Sequence, residues 1–181
     1  MDKLMCIHKP KIYSRCMLLL YVVITMAGLS ACQPKEIDLP FETIEKRDAS
    51  GTGQVYEDKQ PGLIIIAKPE EVANLDALVT PDGLARLRSL NYDTHFVIAA
   101  FQGRKPTTGY SIEIKRIIRR GNTVTIYALS QEPKPDEAKG DEETSPYHLV
   151  GIKKVGDWGQ QINLDLVVND AVVASLSQVV P

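Results

Sequence analysis

FVIAAFQGRKPTTGYSIEIKRII, residues 96–118, decides the fold. Its first part is short, apolar and rich in β-branched and aromatic residues, and with Thr94 it reads as a central strand, Thr94 to Phe101. In its last part Tyr110, Ile112 and Ile114 alternate with Ser111, Glu113 and Lys115, the period of a half-buried strand. Between them lies Gly103-Arg104-Lys105-Pro106-Thr107-Thr108-Gly109-Tyr110. Pro106 fixes its own φ, Gly109 permits a positive one, and the Thr107 and Thr108 hydroxyls can satisfy turn amides. Tyr110 brings a large apolar face with a polar tip to the start of the second strand.

Working outward, Leu63 to Ala67 reads as a buried strand. Pro69-Glu70-Glu71 opens a helix with proline and two carboxylates at its positive end, and Val72, Leu75, Leu78 and Val79 share one face. Thr80 is the N-cap of a second helix with Leu84, Leu87 and Leu90 on its apolar side. Downstream, Gly121-Asn122 is a tight turn into a strand with Val124, Ile126 and Ala128 inward. Gln131 to Pro146, rich in Pro, Asp, Glu and Lys, reads as a mobile excursion. Tyr147 to Val155, Ile162 to Val168 and Val172 to Leu176 complete the strands, the last two joined by a compact Asn169-Asp170 turn. The expected fold is mainly β: an antiparallel sandwich or barrel-like sheet with a small helical insertion at about residues 69–90.

The N-terminus reads as an address. Lys3, Lys9, Lys11 and Arg15 precede the apolar run Met17 to Leu29, of signal-core length and short for a membrane span. Leu29-Ser30-Ala31-Cys32 resembles the lipobox of bacterial lipoproteins, in which the cysteine thiol receives the diacylglycerol. The expected organisation is a signal peptide at 1–31, a lipidated tether at 32–60 with a short strand near Val55-Tyr56, and a β-rich domain at 61–181. Gln33, where an aspartate would favour inner-membrane retention, points to the outer membrane.

Chemistry-bearing patterns are sparse. Lys and Arg number 21 against 23 Asp and Glu, which gives no reason to expect nucleic acid. His95 and His148 are isolated, without metal-ligand spacing, and no nucleophile motif or phosphate loop occurs. No catalytic residue, metal or cofactor is expected. Lys115-Arg116 and Arg119-Arg120 form a basic cluster suited to anionic lipid, to the acidic 136–143 stretch, or simply to guarding a strand edge.

Phe101 to Ile114, followed by Thr144-Ser145-Pro146-Tyr147-His148-Leu149-Val150, resembles the C-terminal domain of the protease complex subunit PrcB family. That family pairs a Pro-Thr-x-Gly-Tyr turn with a later Thr-x-Pro-Tyr-His-Leu-Val strand. The resemblance implies an envelope lipoprotein whose relatives associate with a surface protease complex; the role expected of this chain is a non-catalytic binding subunit for a protease or protease complex. The candidate contact residues are Lys105, Pro106, Thr107, Thr108, Gly109 and Tyr110, with Pro146, Tyr147 and His148 as a second motif. The same turn resembles the loop of chagasin-like cysteine protease inhibitors, although Lys105 replaces an asparagine and their Arg-Pro-aromatic loop is missing. Inhibition, and a structural envelope role without a dedicated ligand, are the alternatives. Cys32→Ser is expected to release the protein from the membrane fraction; retention after high-salt washing would contradict lipid anchoring.

Overall fold

Phe96, Ile98 and Ala100 alternate with Val97, Ala99 and Phe101, and all six are buried. A strand apolar on both faces needs a cover on each side. The computed structural model describes residues 34–48, 55–136 and 139–181, and it supplies both covers. Its strands are β1 (Glu36–Asp38), β2 (Phe41–Arg47), β3 (Gly62–Ile66), β4 (His95–Phe101), β5 (Ser111–Arg120), β6 (Thr123–Gln131), β7 (Tyr147–Lys153), β8 (Gln161–Val168) and β9 (Ala171–Val179). They form a five-stranded sheet, β1-β5-β6-β8-β9, and a four-stranded sheet, β2-β7-β4-β3. The architecture is a sandwich of two sheets, and neither closes into a barrel.

Phe96, Ile98, Ala100, Val150 and Ile152 point from the four-stranded sheet into the space between the sheets. They meet Ile112, Ile114, Ile117, Val124, Ile126, Ile162, Leu164 and Leu166 of the five-stranded sheet. The opposite face carries Ile66, Val97, Ala99, Phe101, Tyr147 and Leu149, covered by a helical layer that supplies Val72, Leu75, Val79, Leu84 and Leu87. The expected first helix is a single 3-10 run, Pro69–Leu75. The second, α1 (Pro81–Ser89), is α-helical, with Thr80 Oγ1 accepting from the Gly83 N–H at 3.1 Å as expected of an N-cap. Truncating a core aromatic such as Phe96 to alanine costs about 3–5 kcal/mol on the usual scale for such sites.

Two expectations are corrected by the structure. Residues 36–47, assigned to the tether, contribute an edge strand to each sheet, and the compact unit runs from Lys35 to Pro181. Their sequence hides this because edge strands bury few residues: the acids Glu36 and Asp38 flank half-buried Ile37, and Leu39 is buried just beyond. Val55 and Tyr56 form no strand; Tyr56 stacks on Phe101 with centroids 4.7 Å apart. The five-stranded sheet is not wholly antiparallel, since β6 and β8 run parallel from Thr123↔Asn163 to Ala128↔Val168. The Asn169-Asp170 turn is as expected, with φ positive at both residues (49° and 68°), the geometry of a two-residue hairpin.

The basic cluster has found acids within the chain. Arg116 meets Asp38 (2.7 Å) and Glu36 (3.1 Å), Arg120 meets Glu36 (2.7 Å), and Lys115 meets Glu113 (2.6 Å). Arg119 is buried, lies over the Trp158 ring at 4.2 Å, and donates to the Asp157 and Gly121 carbonyls. The Arg116 and Arg120 pairs join β1 to β5, whereas the Lys115–Glu113 pair lies within β5.

β2 is held to the helical layer by the Glu45 carboxylate and by Arg86, whose guanidinium donates to the Ile44 carbonyl. Glu45 accepts from the Thr80 hydroxyl (2.7 Å) and the Thr80 N–H (3.4 Å), so a single residue serves both the helix cap and the edge strand. Thr80→Ala is expected to lower stability by about 1–2 kcal/mol, the usual value of a lost N-cap. A shifted urea midpoint at unchanged slope checks this, and an unchanged midpoint would contradict the shared cap.

Candidate functional site

The 103–110 loop joins strands that belong to different sheets, β4 in the four-stranded and β5 in the five-stranded. It crosses one end of the sandwich rather than closing a hairpin. Its base is fixed by Gln102, whose N–H donates to the Pro146 carbonyl at 2.9 Å while its side-chain amide donates to Ser130 Oγ and the Gln131 carbonyl. Gly103 has φ +89°, and an added Cβ would fall 2.4 Å from the Lys59 carbonyl oxygen. No larger residue fits there without moving backbone.

The rest of the loop is braced by the excursion that follows β6. Lys105 and Thr144 exchange backbone hydrogen bonds of 2.8 and 2.9 Å, a one-residue antiparallel bridge. Thr144 Oγ1 donates to the Thr107 carbonyl at 3.0 Å. The Thr108 N–H donates to the Gly140 carbonyl, and Thr108 Oγ1 accepts from the Gly140 N–H at 2.8 Å. Gly109, at φ +93°, passes over Pro133, whose Cβ would lie 2.7 Å from an added Cβ. The 131–146 excursion, expected to be mobile, is therefore tied down at Pro133, Gly140 and Thr144, and Thr144, Ser145 and Pro146 are buried.

What the loop offers outward is small and mixed. Pro106 and Gly109 are exposed, while Lys105, Thr107, Thr108 and Tyr110 are half-buried. Lys105 Nζ stands over the Tyr110 ring at 5.5 Å, a cation–π arrangement that holds both side chains on one face. The structure thus divides the candidate residues: Thr108 and Gly109 shape the loop, and Pro106, Thr107, Lys105 and Tyr110 are its accessible surface.

The second motif is brought close to the loop yet turned inward. Pro146, Tyr147 and His148 are all buried, and β7 lies beside β4, pairing Phe101 with Tyr147 and Ala100 with His148. Tyr147 packs against Phe101 with centroids 5.6 Å apart. Burial and the nearby Glu45 charge push its hydroxyl pKa upward, so it stays protonated.

His148 is 3% exposed and links three strands. Its Nδ1 accepts the Ile114 N–H of β5 at 2.9 Å, which places the proton on Nε2, and Nε2 donates to Thr43 Oγ1 of β2 at 2.9 Å. The register of β5 shifts between Ile114 and Arg116, beside the N–H that the ring captures. Outside this node, Glu113 is paired with Lys115 and Lys46, which hold its carboxyl down to about 2. Sequence reading treated His148 as an isolated residue. The available signal was a lone polar side chain inside Tyr147–Ile152, a run otherwise wholly apolar or glycine.

Among the described residues no group of three or more His, Cys, Asp or Glu is placed to hold a metal ion. Cys32 lies outside the described residues. Residues 96–153 match the family model described as PrcB C-terminal. The match runs from β4 through β7 and contains both motifs, as the resemblance implied, while β1 to β3, the helical layer, β8 and β9 lie outside it. No curated protein and no solved structure gives a match.

His148 generates a pH prediction. Burial, helped by the Lys46 charge, pushes its pKa down to about 4 from 6.5. The native ring then stays neutral where the unfolded ring takes up a proton, so stability is full above pH 6.5 and falls as pH drops toward 4. The loss approaches ~1.4 kcal/mol per pH unit at most within that window. Glu113 adds a separate loss only below its ordinary 4.5, because its folded pKa is depressed. Urea unfolding between pH 7 and 4.5 should show the slope in the native chain and a flatter one in His148→Gln; equal slopes would contradict the neutral-histidine node.

Proposed function

We propose that this chain is a membrane-anchored, non-catalytic binding subunit of an envelope protease or protease complex, attached through lipid on Cys32 and presenting the 103–110 loop to its partner. The observation that carries the reading is the match of residues 96–153 to the PrcB C-terminal model, which spans the loop and its brace. The brace supports it further. The eight loop residues 103–110, with little regular structure, are fixed by backbone and hydroxyl bonds and by Pro133, so the accessible side chains lose little freedom on binding. A lipid-anchored protein with Gln33 after the cysteine sits at the outer membrane in this reading, with the compact unit beginning at Lys35, three residues after Cys32 in the sequence.

The surface also shows which residues to change. Pro106 and Tyr110 reach solvent without entering the brace, so Pro106→Glu with Tyr110→Ala should leave thermal stability within a few degrees of the native chain. Capture of an envelope protease after in-cell cross-linking should drop at least about tenfold, the equivalent of ~1.4 kcal/mol. Unchanged capture would remove the loop from the interface. Capture of no protease by the native chain, together with inhibition of papain-like enzymes that the double variant loses, would select the inhibitor reading.

A further inference from the structure

The sandwich has four edge strands, β1, β2, β3 and β9, and two of them, β1 and β2, are guarded. β1 is three residues long and carries Glu36 and Asp38, both ion-paired. β2 carries Glu42, Glu45, Lys46 and Arg47 and has an irregularity between Thr43 and Glu45. The stretch of β5 that β1 leaves uncovered is plugged by the His148 ring at the Ile114 N–H and flanked by Lys46, Glu113 and Lys115. Charges, short length and irregularities are the usual means of keeping a sheet edge from pairing.

The remaining side of the sandwich is built differently. β9, Ala-Val-Val-Ala-Ser-Leu-Ser-Gln-Val, is nine residues long with no charge and no proline. Beside it, at the edge of the other sheet, β3 is Gly-Leu-Ile-Ile-Ile, also uncharged. Gln178 of β9 donates to the Glu71 carboxylate of the 3-10 run at 3.2 Å, and that carboxylate also accepts from the Ala67 N–H just after β3. Among the described residues, three large hydrophobic side chains are exposed, and two of them lie at opposite ends of β9: Val172, 64% exposed, and Val179, 51% exposed.

We propose that β9 is a homodimer edge, at which two copies of the chain pair their β9 strands antiparallel about a two-fold axis at Leu176. An isologous strand pair must be antiparallel. This centre sets Ser175 against Ser177 of the other copy and Ala174 against Gln178, with no like charges opposed. It also explains the two exposed valines. Val172 is four residues before Leu176 and Val179 three after, so each Val179 comes beside the other copy's Val172. The shift in the β8–β9 register, where Leu166↔Ala174 is followed by Val167↔Val172, leaves Val173 without an opposite residue and confines regular pairing to the part after it. Ser175 and Ser177 face outward, bonded to Asp165 and Asn163 of β8, and stand ready as the cross-strand pair. This inference is independent of the loop and its partner.

The test uses the whole chain with Cys6, Cys16 and Cys32 changed to Ser, which leaves it free of cysteine. Sedimentation velocity at micromolar concentration should give the mass of two chains. Ser177→Lys should give the mass of one with an unchanged melting temperature, and Val179→Lys serves if that variant fails to fold. Under mild oxidation an equal mixture of Ser175→Cys and Ser177→Cys proteins should form disulfide dimers severalfold faster than either alone. A native chain that sediments as one copy, a dimer that survives both lysine variants, or cross-linking no faster in the mixture would each overturn the proposal.

Discussion

The structure depends on one constraint: β4 and β7 are apolar on both faces, so the sheet they centre must be covered twice. Phe96, Ile98 and Ala100 turn toward the five-stranded sheet while Val97, Ala99 and Phe101 turn toward the helical layer. Neither cover could be omitted without exposing a row of large apolar side chains to water, at about 25 cal/mol per Å². The requirement also fixes where the chain must cross. After β4 it leaves the four-stranded sheet, passes over one end of the sandwich as the 103–110 loop, and enters the five-stranded sheet as β5; after β6 it returns through the 131–146 excursion to β7. Two crossings at the same end are bound to meet, and the Lys105–Thr144 bridge is where they do.

That meeting accounts for the spacing of the two motifs. The Pro-Thr-Thr-Gly-Tyr turn is the visible surface, while Thr144 to His148 works behind it: Thr144 holds the loop, Tyr147 fills the helical-side core, and His148 ties β7 to β5 and β2. A neutral imidazole suits this position because it donates on one side and accepts on the other. A protonated ring could not accept the Ile114 N–H, so the sandwich is expected to lose stability as the ring is driven to protonate in acid.

Much of this was legible in the chain. Alternation in Tyr110–Lys115 and the unbroken apolar run at 96–101 specified a half-buried and a doubly buried strand, and Thr80 announced the helix it caps. What escaped were features whose cause is not local. Glu36–Arg47 carries few apolar residues because edge strands bury little, and its acids make sense only opposite Arg116 and Arg120, some eighty residues on. The parallel β6–β8 pair is separated in sequence by the excursion and by β7, so no pattern of alternation encodes it. The brace was hidden for the same reason: Gly140, Thr144 and Pro133 look like linker composition until the loop is laid across them.

The central claim is that this braced end of the sandwich is the surface that meets a protease partner. A photo-reactive amino acid placed at Pro106 in living cells, with a second placed at Asp157 on the β7–β8 turn as the control, tests it most directly. The account predicts an ultraviolet-dependent adduct with a protease subunit from position 106 and none from position 157. Adducts of equal yield from both positions, or no protease adduct from position 106, would contradict it.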